Sequence, residues 1–371
     1  MRWRFLVLAG ATLAVALSTA AEAPPAGSFS RSKPVNWVSV AAGQPLRMWV
    51  ENVDGGWLSS DGGRTFGAPL STSAFRRAQV AQATLLADGK TLLGMPTVWS
   101  LSSFTPPRWS ADGGVTWQPG VLRGKDAHYD FGDTSSFVGE SPVTADPSDA
   151  RTAWFCQGNL YVTHDAGRTW GIATPRFQRP WHCSALAIAQ GNPHTLLLLA
   201  QSGRNARRTP GKILRSLNGG ATWRSVSAPH YPQLDYNGQA LAFAPARPSA
   251  ALMIGASGTA LGALYHSLDG GLHWKRVRPA GSLRGAVVDQ FAFASDGRAL
   301  AIIRIRGRQN LMFSSSDGGL HWSTAPQLTL DTKSPPVYAS PLAASGTSFL
   351  LGTNKRGFWR LTTDARRWAR P

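Results

Sequence analysis

The residue types suited to acid–base chemistry are concentrated in one acidic segment, KDAHYDFGDTSSFVGE, residues 125–140. Other candidates lie immediately before strands that are predicted to line the centre of the fold. Two such carboxylates could act as acid and base on a glycosidic bond. Alternatively, a tyrosine or histidine beside an arginine could catalyse a lyase reaction on uronic acids. The candidates are Asp126, Asp130, Asp133, Glu140, His182, Asp235, Tyr236 and Asp289. Because long acidic loops are often only solvated connections, the sequence leaves catalysis open and assigns no catalytic residue.

Basic residues are the second group of residues whose chemistry suggests a function. The chain has 38 Lys and Arg against 20 Asp and Glu, a formal charge of +18. Arginine is suited to bidentate capture of carboxylate, sulfate or phosphate, and a surface of one sign recruits the opposite charge. The predicted anion-binding residues are Arg76, Arg77, Arg179, Arg204, Arg207, Arg208, Arg284, Arg306, Arg308 and Arg356. A generally basic, soluble surface is the alternative interpretation.

Many of the remaining carboxylates belong to a repeated turn motif of the kind SLDGGLHWK, residues 267–275. Its third residue recurs every 47 to 53 positions, which is typical of a propeller or an array. Six copies are well formed, and a seventh, TTDARRWAR, has lost its glycines. The third residues are Asp61, Asp112, Asp165, Asn218, Asp269, Asp317 and Asp364.

The chemistry of one copy favours a structural role. The Asp or Asn side chain can accept hydrogen bonds from backbone N–H groups just ahead, and a following Gly supplies the positive φ of a tight turn. A calcium loop needs several carboxylates at alternating positions, whereas each copy has one. We therefore predict no metal site and no cofactor.

The motif resembles the Asp-box, or BNR repeat, of sialidases, sortilin-type receptors, xyloglucanases and photosystem II assembly-factor propellers. The resemblance covers residues 33–371 and implies an all-β chain. These families differ in activity, so the resemblance does not choose between a binding propeller and a carbohydrate-active enzyme. The arginine motif that precedes the first box in sialidases is missing, and neither Glu51 nor Glu140 can be matched to the sialidase glutamate. The resemblance therefore assigns no sialidase catalytic residue to this chain.

Counting strands predicts a single seven-bladed propeller with four antiparallel strands per blade. Each turn motif joins the third strand to the fourth, and the first and last blades complete themselves without exchanging a strand. Connections from second to third strand, and from blade to blade, then lie on the opposite face from the turn motifs. That face contains the predicted anion-binding arginines.

The N-terminus predicts export. MRWRF is basic, FLVLAGATLAVAL is apolar and STAAEA offers small residues for cleavage, as in a secretory signal. We expect a signal over residues 1–23, a linker over 24–32 and the propeller over 33–371, in the periplasm or secreted, as a monomer with no transmembrane segment. An acidic glycan, lipopolysaccharide or acidic protein is then a better partner than nucleic acid.

The two cysteines lie in predicted strands of neighbouring blades. Alternating strand direction places Cys156 and Cys183 near the same rim, so a disulfide between blades is plausible in an oxidising compartment. Two buried thiols acting as small apolar fillers are the alternative.

Overall fold

A computed structural model describes the strands and turns of the chain. The described residues are 29–30, 33–52, 54–67, 70–71, 80–96, 106–123, 143–157, 159–173, 181–190, 195–202, 211–226, 241–257, 260–279, 286–305, 311–328, 342–353, 357–361 and 367–370. Within these ranges every regular element is a β-strand.

The strands form seven successive sheets, here called blades 1 to 7. Blade 1 contains β1 (Val35–Val40), β2 (Met48–Asn52), β3 (Gly55–Ser59) and β4 (Leu70–Ser71). Blade 2 contains β5 (Val80–Leu85), β6 (Leu92–Pro96), β7 (Arg108–Ser110) and β8 (Gln118–Pro119). Blade 3 contains β10 (Thr144–Ala145), β11 (Ala153–Gln157), β12 (Asn159–Thr163) and β13 (Thr169–Ile172), with β9 (Val121–Leu122) as a fifth strand. Blades 4 and 5 contain β14 (Trp181–Ile188), β15 (Leu196–Ser202), β16 (Lys212–Ser216) and β17 (Arg224–Val226); and β18 (Leu241–Ala244), β19 (Arg247–Ser257), β20 (Ala260–Ser267) and β21 (Lys275–Val277). Blades 6 and 7 contain β22 (Ala286–Phe293), β23 (Ala299–Ile305), β24 (Leu311–Ser315) and β25 (Ser323–Thr324); and β26 (Leu342–Ser345), β27 (Ser348–Thr353), β28 (Gly357–Leu361) and β29 (Trp368–Ala369).

Burial decreases from the second strand of a blade to its outer edge. All residues of Leu92–Pro96 and Ser348–Thr353 are buried, because a second strand is covered on both faces by neighbouring blades. Sequences of this kind are continuous apolar runs rather than alternating ones. The outer strands Arg224–Val226 and Lys275–Val277 begin with two exposed residues each.

The core consists of seven apolar clusters, one at each junction between consecutive blades. The cluster that closes the ring packs Met48 and Val50 of blade 1 against Leu350 and Phe358 of blade 7. Both blades supply four strands of their own. The predicted seven-bladed, all-β fold with four antiparallel strands per blade is confirmed.

Blade 3 has a strand that the sequence analysis did not include. The segment Val121–Leu122, on the path from blade 2 to blade 3, pairs parallel with the outermost strand of blade 3. Val121 N–H donates to the Arg168 carbonyl at 3.0 Å, and Arg123 N–H donates to the Trp170 carbonyl at 2.7 Å. The added strand covers an edge that would otherwise be free to pair with another chain.

Candidate functional site

The two faces of the ring carry different connections. Because the strands of a blade alternate in direction, connections from second to third strand and from blade to blade open on one face, the loop face. The turn motifs and the connections from first to second strand open on the other, the turn face. The arginines predicted to bind an anion all belong, by chain order, to connections of the loop face. Those ten arginines lie outside the described residues.

Besides β1, whose register shifts between Val35 and Trp37, three innermost strands have a β-bulge near the end that meets the loop face. The register shifts between Ala81 and Thr84 in β5, between Cys183 and Ala185 in β14, and between Val288 and Gln290 in β22. A bulge inserts an extra residue and re-aims a side chain, which is why bulges are common beside functional sites. Each of these three bulges is tied by a different kind of contact.

In blade 6 the bulge residue Asp289 is paired with Arg304 of the second strand. The Arg304 Nε atom lies 3.1 Å from both Asp289 carboxylate oxygens, and Nη2 lies 2.9 Å from Oδ1. The side chain of Asp289 is 8% exposed and that of Arg304 is 37% exposed. Asp289, a predicted catalytic candidate, is therefore engaged in a bidentate ion pair, and Arg304 shows one edge to solvent.

In blade 2 the bulge is bound by a buried glutamate from blade 1. Glu51 accepts hydrogen bonds from the Ala83 N–H at 2.7 Å, the Gln82 N–H at 3.0 Å and the Trp49 Nε1–H at 2.8 Å. Gln82 has a φ of 52°, an unusual value for a residue other than glycine. Burial raises the pKa of Glu51 to about 7, although the three hydrogen bonds act in the opposite direction.

In blade 4 the bulge begins at a cysteine. Cys183 is bonded to Cys156 of blade 3, with 5.2 Å between their Cα atoms, and both residues are buried. Cys156 occupies in β11 the position that Glu51 occupies in β2. Each lies three residues after the residue that pairs with the first residue of its own blade's turn motif. At this position of the second strand, hydrogen bonds join blade 1 to blade 2, and a covalent bond joins blade 3 to blade 4.

Blade 4 also places an aromatic ring and a cation at the loop face. Trp181 begins the innermost strand and Lys212 begins the third. The Lys212 ammonium lies 4.0 Å from the centre of the Trp181 ring. Such a cation–π contact holds the exposed Lys212 side chain against the first residue of the innermost strand.

Of the eight predicted catalytic candidates, only Asp289 has a described side chain. The backbone of His182 is part of β14, where it pairs with Gln201, but its side chain is outside the described set. The other six, Asp126, Asp130, Asp133, Glu140, Asp235 and Tyr236, lie outside the described residues altogether. Among the described side chains, no two of the candidates therefore lie together.

On the turn face, the motif of blade 5 shows how each copy is built. Ser267 Oγ donates to Asp269 Oδ1 at 2.8 Å and accepts from the Gly271 N–H at 2.9 Å, while the His273 N–H donates to Asp269 at 2.9 Å. Gly271 has a φ of 90°, which a side chain would disfavour. Burial alone would raise the pKa of Asp269, but hydrogen bonds from His273 and Ser267 outweigh it and lower the pKa to about 2.

The same three backbone and side-chain hydrogen bonds recur in five other copies. Their third residues are Asp61, Asp112, Asp165, Asn218 and Asp317. In blade 3 the first glycine is replaced by Ala166, which still adopts a φ of 59°. Asp364 of the seventh copy lies outside the described residues. The described Asp and Asn side chains therefore bind their own turns.

Several arginines of the turn face link neighbouring blades. Arg215 Nε of blade 4 donates to the Gly270 carbonyl of blade 5 at 2.8 Å, and Arg360 of blade 7 donates to the Gly62 carbonyl of blade 1. The Arg168 guanidinium of blade 3 lies 4.6 Å from the centre of a tryptophan ring of blade 2. Some of the arginines therefore connect neighbouring blades within the fold, a role that the sequence did not predict.

Among the residues that the structure describes, no three His, Cys, Asp or Glu side chains are grouped so that they could hold a metal ion. No described helix is long and apolar enough to cross a membrane.

These features define a seven-bladed β-propeller with a turn face built from repeated acidic turns. No protein-family model and no curated protein sequence matches the chain. Solved structures do match it at low sequence identity, and they establish the fold alone.

Three of these structures illustrate the range of proteins that share the fold. The GH74 enzyme of Niastella koreensis is 14% identical with a TM-score of 0.61; the match covers 92% of this chain and 54% of the enzyme, so the chain spans about half of its length. YCF48 of Cyanidioschyzon merolae is 13% identical with a TM-score of 0.53, covering 90% and 96% of the two chains. Virginiamycin B lyase of Staphylococcus aureus is 10% identical with a TM-score of 0.54, covering 89% and 95%. YCF48 has also been solved bound to D1 peptide.

Proposed function

We propose that this protein is an exported, non-catalytic propeller that binds an anionic partner on its loop face, either an acidic glycan such as lipopolysaccharide or an acidic protein segment. One observation carries the proposal. Every carboxylate in the described ranges accepts a hydrogen bond or forms an ion pair within the chain. These carboxylates are Glu51, Asp54, Asp61, Asp88, Asp112, Asp146, Asp149, Asp165, Asp269, Asp289, Asp296 and Asp317.

Basic side chains are placed differently from the carboxylates. Many described arginines and lysines are exposed, among them Arg47, Lys90, Arg151, Lys212 and Arg278. Because basic residues outnumber acidic ones, 38 to 20, and many of them face solvent, the surface has a positive field that attracts anions. The ten arginines of the loop-face connections strengthen that field on one side of the ring.

The comparisons support binding without naming the ligand. YCF48 shares the fold over nearly its whole length and has a structure with a bound peptide. The GH74 enzyme shares the fold as well, so an enzyme acting on an acidic glycan is the competing function. Within the described residues, however, the one predicted acid–base candidate, Asp289, is held by Arg304 and offers no free carboxylate. A bond between Cys156 and Cys183 agrees with an exported location.

The proposal is tested by replacing Arg207 and Arg208, in the connection between β15 and β16, with serine. Binding to polygalacturonate and to poly-glutamate should weaken by about tenfold, because exposed charge contacts contribute up to about 1 kcal/mol each. Binding of the unchanged protein should also fall as salt rises from about 0.05 to about 0.3 M, since screening shortens the range of these charges.

A matched control on the turn face separates a directed site from general basicity. Arg64→Ser with Arg151→Ser removes the same charge from two exposed positions there. We expect this variant to bind like the unchanged protein; Arg168 is unsuitable as a control because it packs on a tryptophan ring. Equal losses in both variants would refute a loop-face site, and release of reducing or unsaturated ends from the polysaccharide would instead establish the enzymatic function.

A further inference from the structure

Four exposed leucines occur on the turn face of three consecutive blades. They are Leu217 in blade 4, Leu268 and Leu272 in blade 5 and Leu320 in blade 6, with exposed fractions of 56%, 54%, 39% and 38%. Each occupies the second or the sixth position of a turn motif. We call these residues the leucine sector.

Contacts between the blades show that the three turns of the leucine sector are neighbours. Arg215 of blade 4 donates to the Gly270 carbonyl in the turn of blade 5 at 2.8 Å. Arg247 of blade 5 approaches the Asp317 carbonyl in the turn of blade 6, with its Nη1 atom at 3.4 Å. The exposed leucines therefore belong to one continuous stretch of the ring.

The fold itself does not require leucine at these positions. The same second and sixth positions are Ser60 and Arg64 in blade 1, and His164 and Arg168 in blade 3, all of them exposed. Elsewhere on the described turn face, Val115 of blade 2 is exposed at the sixth position, and Leu46 of blade 1 is exposed outside the turn motif. Exposed apolar residues at the turn-motif positions are thus concentrated in blades 4 to 6, and a group of exposed apolar side chains often marks an interaction site.

Basic side chains surround the leucine sector. Arg224 and Lys275 are exposed and begin the outer strands directly after the turns of blades 4 and 5, and Arg247 is exposed at the turn face of blade 5. Blade 4 has Asn218 where the other described turns have aspartate. The two carboxylates of the sector, Asp269 and Asp317, are bound by their own turns and are fewer than the surrounding bases. The sector therefore combines aliphatic side chains with net positive charge.

We propose that the leucine sector docks on the surface of an anionic lipid bilayer. Its leucines would enter the boundary between headgroups and acyl chains, and Arg224, Arg247 and Lys275 would contact anionic headgroups. Protein interfaces depend mainly on Trp, Tyr and Arg, with leucine under-represented among the strongest contacts. In this sector the aromatic residues turn inward: Trp274 Nε1–H donates to its own turn at 3.0 Å and the ring packs on the core. This surface is separate from the anion site proposed on the loop face.

The test is cosedimentation of purified protein, with its N-terminus as processed by the cell, with lipid vesicles. One set contains phosphatidylglycerol and phosphatidylcholine in equal parts, and the other contains phosphatidylcholine alone. We expect binding to the anionic vesicles, and a decrease of about tenfold or more in the partition coefficient of the variant Leu268→Ser with Leu320→Ser. Because all variants share one N-terminus, any contribution from residues 1–23 is the same in each.

Val115→Ser is the matched control, since it removes an exposed apolar side chain at the same turn position outside the sector. It should bind vesicles like the unchanged protein, as should Arg207→Ser with Arg208→Ser, which reports on the loop face. Loss of vesicle binding in the Arg207 and Arg208 variant alone would overturn the proposal and place the lipid contact on the loop face. An unchanged partition coefficient in the variant Leu268→Ser with Leu320→Ser would overturn it too.

Discussion

The buried carboxyl group of Glu51 should make the stability of the propeller depend on pH in a defined window. Its pKa rises from 4.5 to about 7 on folding, chiefly because the group is removed from water. Each tenfold change in proton affinity corresponds to about 1.4 kcal/mol, so the rise corresponds to about 3 kcal/mol. The folded chain binds this proton more tightly than the unfolded chain. The stabilisation is therefore fully present below pH 4.5 and is lost as the pH rises through about 7.

The assay is urea unfolding followed by tryptophan fluorescence at several pH values across that window, for the unchanged protein and for Glu51→Gln. Glutamine keeps the shape of the side chain but cannot ionise, and its amide faces the backbone N–H groups of Gln82 and Ala83, which adds a cost that does not vary with pH. We expect the difference in unfolding free energy between the two proteins to change by about 3 kcal/mol across the window. Parallel stability profiles would refute the reasoning, since they would mean that the hydrogen bonds to Glu51 fully offset its burial.

Three further predictions concern the turn motif and the cysteines. Asp269→Ala should lower the unfolding free energy by about 1–3 kcal/mol, because turn N–H groups lose their acceptor; anion binding by the folded variant should persist, and an unchanged melting temperature with lost binding would contradict a structural turn. Non-reducing mass mapping of exported protein should recover a peptide pair joined through Cys156 and Cys183, whereas two freely alkylated thiols would contradict the bond. Replacing both cysteines with serine should cost about 3 kcal/mol, as expected for a closed loop of 27 residues.

The sequence predicted the parts of the fold that depend on local chemistry. A turn needs its Ser, Asp and Gly at fixed spacing, so the period of the motif gives the number of blades directly. The strands around Cys156 and Cys183 were placed correctly because each lies between turn signals and consists of apolar residues. Turn aspartates such as Asp88, which binds the Thr91 N–H at 2.8 Å, follow the same local rule.

Contacts between blades could not be predicted in the same way. In the sequence, Glu51 is a single polar residue in an apolar strand. The two backbone N–H groups that it binds belong to the bulge of the next blade, which no local pattern predicts. Arg304 belongs to a basic segment that suggested ligand binding, yet the bulge at Asp289 turns a carboxylate toward it. The pairing of Val121–Leu122 with blade 3 depends on the path between blades, for which no local residue pattern gives a signal.

The way the ring closes affects how the chain can be made and rearranged. No strand is exchanged between blades 1 and 7, so their junction consists of packed side chains and a few bonds such as that from Arg360 to the Gly62 carbonyl, 298 residues apart. A chain that emerges from its N-terminus keeps Met48 and Val50 uncovered until Leu350 and Phe358 have followed. Blade 1 is therefore the part most exposed to misassembly during synthesis. Circular permutation at a connection that adds no strand to a neighbouring blade, by contrast, should leave the sheets intact, which the connection containing Val121–Leu122 does not allow as simply.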